Sequence, residues 1–261
     1  MREVYETPGP VELMLQIAAG TIDIETVDRA TTQIDVDEED VRIEMRPASG
    51  GGHRILVEHK PRKAFGWRSD EVHARIELPH GATIRGETGS ADLVIEGRIG
   101  SLTFQDGSGD VNVERCEGDV SIRAASGDVR VTEVTGNASF DTASGDVWVD
   151  RVGGNLSVRS ASGDVHVGLA DGSVQVSTAS GDVNVDEVWN GRTALNSMSG
   201  DIHAGVRRGT RVWLDVTTTS GDASSDLDSA DADEGTDVSL ELRATTVSGD
   251  VVIDRATRTA A

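Results

Sequence analysis

A glycine falls at every ninth residue from Gly100 to Gly181, and alternate members of the series sit in the tripeptide Ser-Gly-Asp. Gly109, Gly127, Gly145, Gly163 and Gly181 form that subset; Gly100, Gly118, Gly136, Gly154 and Gly172 lie halfway between. The period is therefore 18 residues, built from two halves of nine. A short, fixed period means that each repeat buries its apolar face only against the next copy, which is the logic of a solenoid.

One half reads Gly-Asp-Val-x-Val, as in Gly109–Val113 and Gly163–Val167; the other reads Gly-polar-apolar-polar-apolar, as in Gly118–Ile122 and Gly154–Val158. Strict alternation with β-branched residues is the pattern of a half-buried strand, and glycine at its head permits a tight corner. The predicted fold is all-β: a single-stranded β-solenoid (β-helix) of about 18 residues per coil in two nine-residue halves, with an irregular β N-terminal cap. Each strand is expected to pair with its equivalent in the next coil at a spacing of roughly 4.8 Å. Val111, Val113, Leu156 and Val158 point inward; Cys116, Val134, Val152, Leu169 and Val188 form an apolar corner row, and Ala125, Ala143, Ala161 and Ala179 a small one at the opposite corner. Two or three strands per coil both satisfy this pattern.

Past Gly181 the spacing between Ser-Gly-Asp units grows to 19, 21 and 28 residues, at Gly200, Gly221 and Gly249. Corners accept such extra residues. The largest insertion carries the acidic stretch Asp226–Asp237. Residues 1–88 are read as the β cap grading into the solenoid, with strands at Thr21–Glu25, Gln33–Asp37, Val41–Arg46, His53–His59 and Val72–Pro79; residues 89–255 are the repeats and 256–261 a tail.

The Ser-Gly-Asp-Val-x-Val units, together with Val72–Gly97 and the ending Thr246–Arg255, resemble the bacterial β-strand-repeat family of "putative adhesins", a domain of unknown function that is similar to autotransporter-adhesin heads. The resemblance covers roughly residues 10–255. It implies the solenoid fold and an interaction role, and it carries no catalytic residues with it.

Composition narrows the partners. The chain holds 46 acidic against 24 basic residues, a formal net charge of −22. Such a chain repels a nucleic-acid backbone and an anionic membrane surface. Aromatic residues make up 3% and hydrophobic ones 36%, which fits a thin core of small aliphatics. No run approaches the roughly 18–20 apolar residues of a membrane span. Met1–Pro10 contains no apolar signal-peptide core, so the expected location is cytoplasmic, and the cell surface only if a leader precedes this sequence. The lone Cys116 is expected as a small buried hydrophobe, with no disulfide. A monomer or weak self-association is expected, with no cofactor.

Stacked coils turn equivalent residues into rows. Asp110, Asp128, Asp146, Asp164, Asp182, Asp201, Asp222 and Asp250 form one. Carboxylates on adjacent coils repel by roughly 1 kcal/mol per pair even in bulk water, so each is expected to cap its own corner by accepting backbone N–H bonds. Calcium is not expected there, because toxin nonapeptides use Gly-Gly-x-Gly-x-Asp, and here the residue two before each glycine is usually alanine.

The next row is chemically richer: Arg130, Trp148, His166, Asn184 and His203, with Asn112 before them. A Trp in line with Arg and His suits stacking on a sugar or a partner's side chain. His166 and His203, two coils and about 10 Å apart by the ladder spacing, are too far apart to share a zinc ion, so no metal site is predicted. A third row contains Glu114, Thr132, Asp150, Gly168, Asp186, Asp226 and Asp254; the opposite side is bland, with Thr103, Ser121, Ser139, Ser157 and Gln175. A second candidate site is the basic loop holding Lys60, Arg62, Lys63, Phe65, Trp67 and Arg68, a docking tip for an acidic partner.

No Gly-x-Ser-x-Gly elbow, His-Glu-x-x-His or phosphate loop occurs. The sequence thus predicts a non-enzymatic interaction or scaffold protein that binds a protein or glycan along the Arg130–His203 row or the basic loop. The alternatives are a self-assembling filament comparable to bactofilins and a carbohydrate-active β-helix enzyme.

Overall fold

The computed structural model describes residues 1–38, 40–48, 50–59, 71–227 and 239–256. Lys60, Arg62, Lys63, Phe65, Trp67 and Arg68 lie outside the described residues, as do Asp228, Asp231, Asp233 and Asp237 of the acidic insertion. The described chain is all β, so the predicted fold class is borne out. It divides into two compact units, Met1–Val131 and Thr132–Ala261.

In the first unit, β2 (Val11–Val27) and β7 (Thr83–Ile99) each run through a corner and supply both strands of a coil. The first part of β2 pairs in parallel with β5 (His53–His59) on one side and β7 on the other; its second part lies between β6 (Val72–Pro79) and β7. Next come β8 (Ser101–Ser108) and β9 (Val111–Cys116), and β10 (Val120–Ser126) stacks on β8. Antiparallel strands close the outer side: β4 (Val41–Pro47) on β5, β3 (Thr31–Val36) on β6, and β1 (Arg2–Glu6) on β3. The five strands expected in the cap are present, while β1 and the first half of β2 were not anticipated. β2 turns its corner at Gly20, where φ is +131° and an added Cβ would lie 2.0 Å from the Val72 carbonyl oxygen. Leu13, Leu15, Ile22, Ile24, Ile76, Ile84 and Phe104 fill the interior; each fully buried aliphatic or aromatic of this size contributes about 1.5–3 kcal/mol.

The last strand to begin in that unit is β11 (Val129–Val134). The second unit then builds each coil from two strands: β12 (Ala138–Ser144) and β13 (Val147–Val152), β14 (Leu156–Ser162) and β15 (Val165–Ala170), β16 (Val174–Ser180) and β17 (Val183–Val188), β18 (Gly191–Ser199) and β19 (Ile202–Val206). Pairing is parallel and in register at the period of the sequence, with Val147 beside Val165 and Leu156 beside Val174. Two strands per coil settles what the pattern alone left open.

The final coils correct the expectation of sequence-ordered stacking. β20 (Arg211–Ser220) and β21 (Ala223–Ser225) do not follow β18 and β19. Instead β22 (Ser239–Ser248) lies between β18 and β20, and β23 (Val251–Arg255) between β19 and β21. The physical reason is apolar content. Leu240, Leu242, Ala244, Val251 and Ile253 are completely buried in the inner position, whereas the outer coil offers the half-buried Val212, Leu214 and Val216 and the exposed Ala223, Ser224 and Ser225.

Two corner rows also need correction. Leu169 sits outside the core and Ala170 takes the buried place, because Ala170 is the partner in register with Val152 and Val188. Ala125, Ala143, Ala161 and Ala179 face solvent; the residue before each of them turns inward, as Ala124, Thr142, Ser160 and Thr178. Further along this inward row the hydroxyls of Thr246 and Thr218 donate to the carbonyls of Gly200 and Gly249, at 3.1 and 3.0 Å. No helix long and apolar enough to cross a membrane occurs among the described residues.

Candidate functional site

The Ser-Gly-Asp corners set the geometry on which every outward row stands. In the first unit Asp110 N–H donates to Asp92 Oδ1 and Asp128 N–H to Asp110 Oδ1, each at 2.9 Å. In the second unit the same 2.8 Å bond links Asp164 to Asp146, Asp182 to Asp164, Asp201 to Asp182, Asp250 to Asp201 and Asp222 to Asp250. Each of these accepting carboxylates therefore takes its bond from a neighbouring coil rather than capping its own corner. This offsets the repulsion between successive charges with a charge-assisted hydrogen bond at every step. At the opposite corner neutral groups do the same work: Asn155 N–H donates to Asn137 Oδ1 and Ser173 N–H to Asn155 Oδ1, both at 3.0 Å.

Next to this ladder, the second unit carries Trp148, His166, Asn184 and His203 on β13, β15, β17 and β19, each in register with the next. They point outward because they alternate with buried residues on either side, valines in the first three strands and Ile202 and Ala204 around His203. Trp148 is 38% exposed. The three polar members are joined: Asn184 Nδ2 meets His166 Nδ1 at 3.0 Å, and Asn184 Oδ1 meets His203 Nδ1 at 2.7 Å. Two carboxylates complete the chain, with Asp186 Oδ2 3.4 Å from His166 Nε2 and Asp254 Oδ2 3.2 Å from His203 Nε2. Asn184 Nδ2 also donates to Asp186 Oδ1 at 3.1 Å. A carboxylate can only accept, so this bond fixes the amide orientation. It follows that His166 Nδ1 accepts from Asn184, and His203 Nδ1 donates to it.

Arg130, the first member of the predicted row, falls in the first unit, where its Nη2 donates to Asp128 Oδ2 at 3.1 Å. The corresponding line in that unit runs Arg2, Asp35, Arg75, Asp23 across β1, β3, β6 and β2, alternating in charge beside a cleft of about 460 Å³. Sequence reasoning missed it because antiparallel, out-of-order strands assemble it. It also missed the partners of the histidines, although Asn184 and Asp186 are two apart and so share one face of a strand.

A further cluster unforeseen in the sequence surrounds Trp189, just after β17. Its Nε1–H donates to Asp171 Oδ1 at 3.0 Å, Arg207 lies over the ring at 4.8 Å, Arg151 pairs with Asp171, and Arg207 pairs with Glu187. The one extra residue in this coil was the available signal. Burial pushes the Cys116 thiol above its ordinary value, as befits a side chain inside the core. Among the described residues no group of three or more His, Cys, Asp or Glu side chains is placed to hold a metal ion.

Several solved structures are similar to this chain. A "putative adhesin" from Bacteroides fragilis NCTC 9343 is 12% identical, covering 98% of this chain and 96% of its own, with a TM-score of 0.42. One from Parabacteroides distasonis ATCC 8503 is 11% identical, covering 97% and 96%, with a TM-score of 0.36. A "putative cell adhesion protein" from Clostridium sporogenes ATCC 15579 is 9% identical, covering 98% and 99%, with a TM-score of 0.27. No curated protein matches the chain. The model of the Toastrack DUF4097 family matches residues 59–258. The resemblance read from the Ser-Gly-Asp-Val units is thus borne out, and the chain belongs to the Toastrack DUF4097 family, a bacterial domain family of unknown function.

Proposed function

We propose that this protein is a non-enzymatic interaction module whose second unit presents the line Trp148, His166, Asn184, His203 to a glycan or protein chain. The observation that carries this reading is the fixed alignment of those four side chains on successive coils, three of them hydrogen-bonded to one another. Neighbouring coils are about 4.8 Å apart, so the line spans roughly 14 Å, the reach of a few linked sugars or an extended tetrapeptide. The strand ladder and the Asn184 bonds order these groups in advance, which lowers the entropic cost of docking. Trp148 supplies an apolar face for stacking, and the His–Asn–Asp chain supplies donors and acceptors beside it. The histidines and carboxylates engage one another along an open strand face rather than converging on an enclosed cavity, which supports binding over catalysis.

The test is a glycan array and identified-partner capture with three full-length forms. Wild type and Gln175→Ala, altered on the opposite side, should retain the same ligand, while Trp148→Ala should lose it. Equal retention by all three forms would remove the row from consideration.

A further inference from the structure

The coil formed by β22 and β23 is the last in the chain yet not the last in space. We propose that its place, between β18–β19 and β20–β21, also accepts residues 239–255 of a second copy of this protein, producing a coil-exchanged dimer. Three observations lead there.

The place is defined on both flanks. β22 is in register with β18 from Leu240 to Ser248, and with β20 across the same span. Asp250 N–H donates to Asp201 Oδ1, and Asp222 N–H donates to Asp250 Oδ1. None of these bonds requires the inserted coil to belong to the same molecule; only the connection through residues 226–238 ties it there.

The chain order opens the place late. Residues 211–225 are made before residues 239–255, and both coils carry the same Ser-Gly-Asp corner. Asp222 is therefore able to dock on Asp201 until Asp250 arrives. For the mature arrangement to form, the outer coil has to stand away from β18–β19 and admit the later segment. At that stage the segment of a neighbouring copy competes on equal terms, because its sequence is identical.

The exchange conserves energy terms. An exchanged dimer retains every ladder hydrogen bond and every buried side chain of the inserted coil, and loses chiefly translational freedom, so its population rises with protein concentration.

The experiment uses two full-length variants with different tags, Ser224→Cys and Val252→Cys, whose positions are neighbours in register and face solvent. They are mixed in moderate denaturant, refolded together at high concentration and oxidised. The proposal expects a doubling of mass by light scattering in both samples, and a disulfide between the two tagged chains only when they are refolded together, not when they are refolded separately and mixed afterwards. Monomer mass at every refolding concentration, with no more bridging than in the separately refolded mixture, overturns it. If the double variant Ser224→Cys/Val252→Cys does not close its own bridge, the position is unsuited to a disulfide and the mass measurement alone decides.

Discussion

Asp164 donates its backbone N–H to Oδ1 of Asp146 across 2.8 Å, and then offers its own Oδ1 to Asp182 in the same way. A single residue type thus serves as both the head and the tail of a link between coils. The side-chain oxygen is what the link needs; the negative charge strengthens it and at the same time repels its neighbours.

Asp164→Asn should therefore be tolerated, with stability within about 0.5 kcal/mol of wild type, as expected for a surface change that keeps the contact. Asn137 and Asn155 already do this work at the opposite corner. Asp164→Ala removes the acceptor and should cost about 1–2 kcal/mol. Urea denaturation followed by circular dichroism separates the two outcomes; equal losses would mean that charge, not hydrogen bonding, holds the corner.

Gly163 has φ of +127°, and an added Cβ would lie 2.2 Å from the Gly145 carbonyl oxygen. Both the backbone conformation and the close approach exclude a side chain. Gly163→Ala should lose roughly 3 kcal/mol or more, at or beyond the upper end of the usual range for single substitutions. The same denaturation measurement checks it, and a loss below that of Asp164→Ala would contradict the argument.

Asp106 is buried, and burial raises its pKa against the opposing bonds from the Thr88 hydroxyl and the backbone N–H groups of Ala91 and Gly107. A folded-state value above the ordinary one means the fold favours the neutral acid. The wild type is then unpenalised below the ordinary carboxylate value and loses stability as pH climbs through the raised one. The equivalent inward row in the second unit uses Thr142 and Thr178. Asp106→Thr should match wild type in acid and exceed it by roughly 1 kcal/mol near neutrality. Thermal melts from pH 3 to 8 would show the two curves diverging as pH rises; parallel curves would refute the assignment.

Asn184 treats the two rings differently: Nδ1 of His166 accepts from its amide and Nδ1 of His203 donates to it, while Nε2 of each ring faces a carboxylate. Nitrogen NMR of the imidazoles should resolve these two forms in wild type. In Asn184→Ala the Nδ1 distinction should disappear, because both Nδ1 atoms lose their partner while each Nε2 keeps its carboxylate.

The repeat itself was legible because two strong local rules coincide: alternating burial in the strands and glycine at the corners. Val111, Val147 and Val165 could be placed inward from spacing alone, and Trp148 and His166 could be placed side by side. Leu169 was misplaced because bulk suggested a core role that Ala170 holds by register. The insertion of β22 and β23 was invisible because it follows from which of two similar coils is more apolar, a comparison between segments rather than a property of either. The His–Asn–His chain was partly readable. Its row was evident, but which carboxylates close it depends on side-chain reach across adjacent coils, with Asp254 reaching His203 over 51 positions in sequence.

The corner bond has one more implication, for how such a chain can change length. Every coil presents its successor with the same acceptor that it received from its predecessor. Excision of Val147–Asp164, a whole period, would leave Asp182 facing Asp146 with nothing mismatched. A cut of nine residues would instead set an aspartate corner against an asparagine one and turn each row onto the wrong side. Genetic drift in this molecule is thus quantised: it can gain or lose stature in full steps, and half steps are barred.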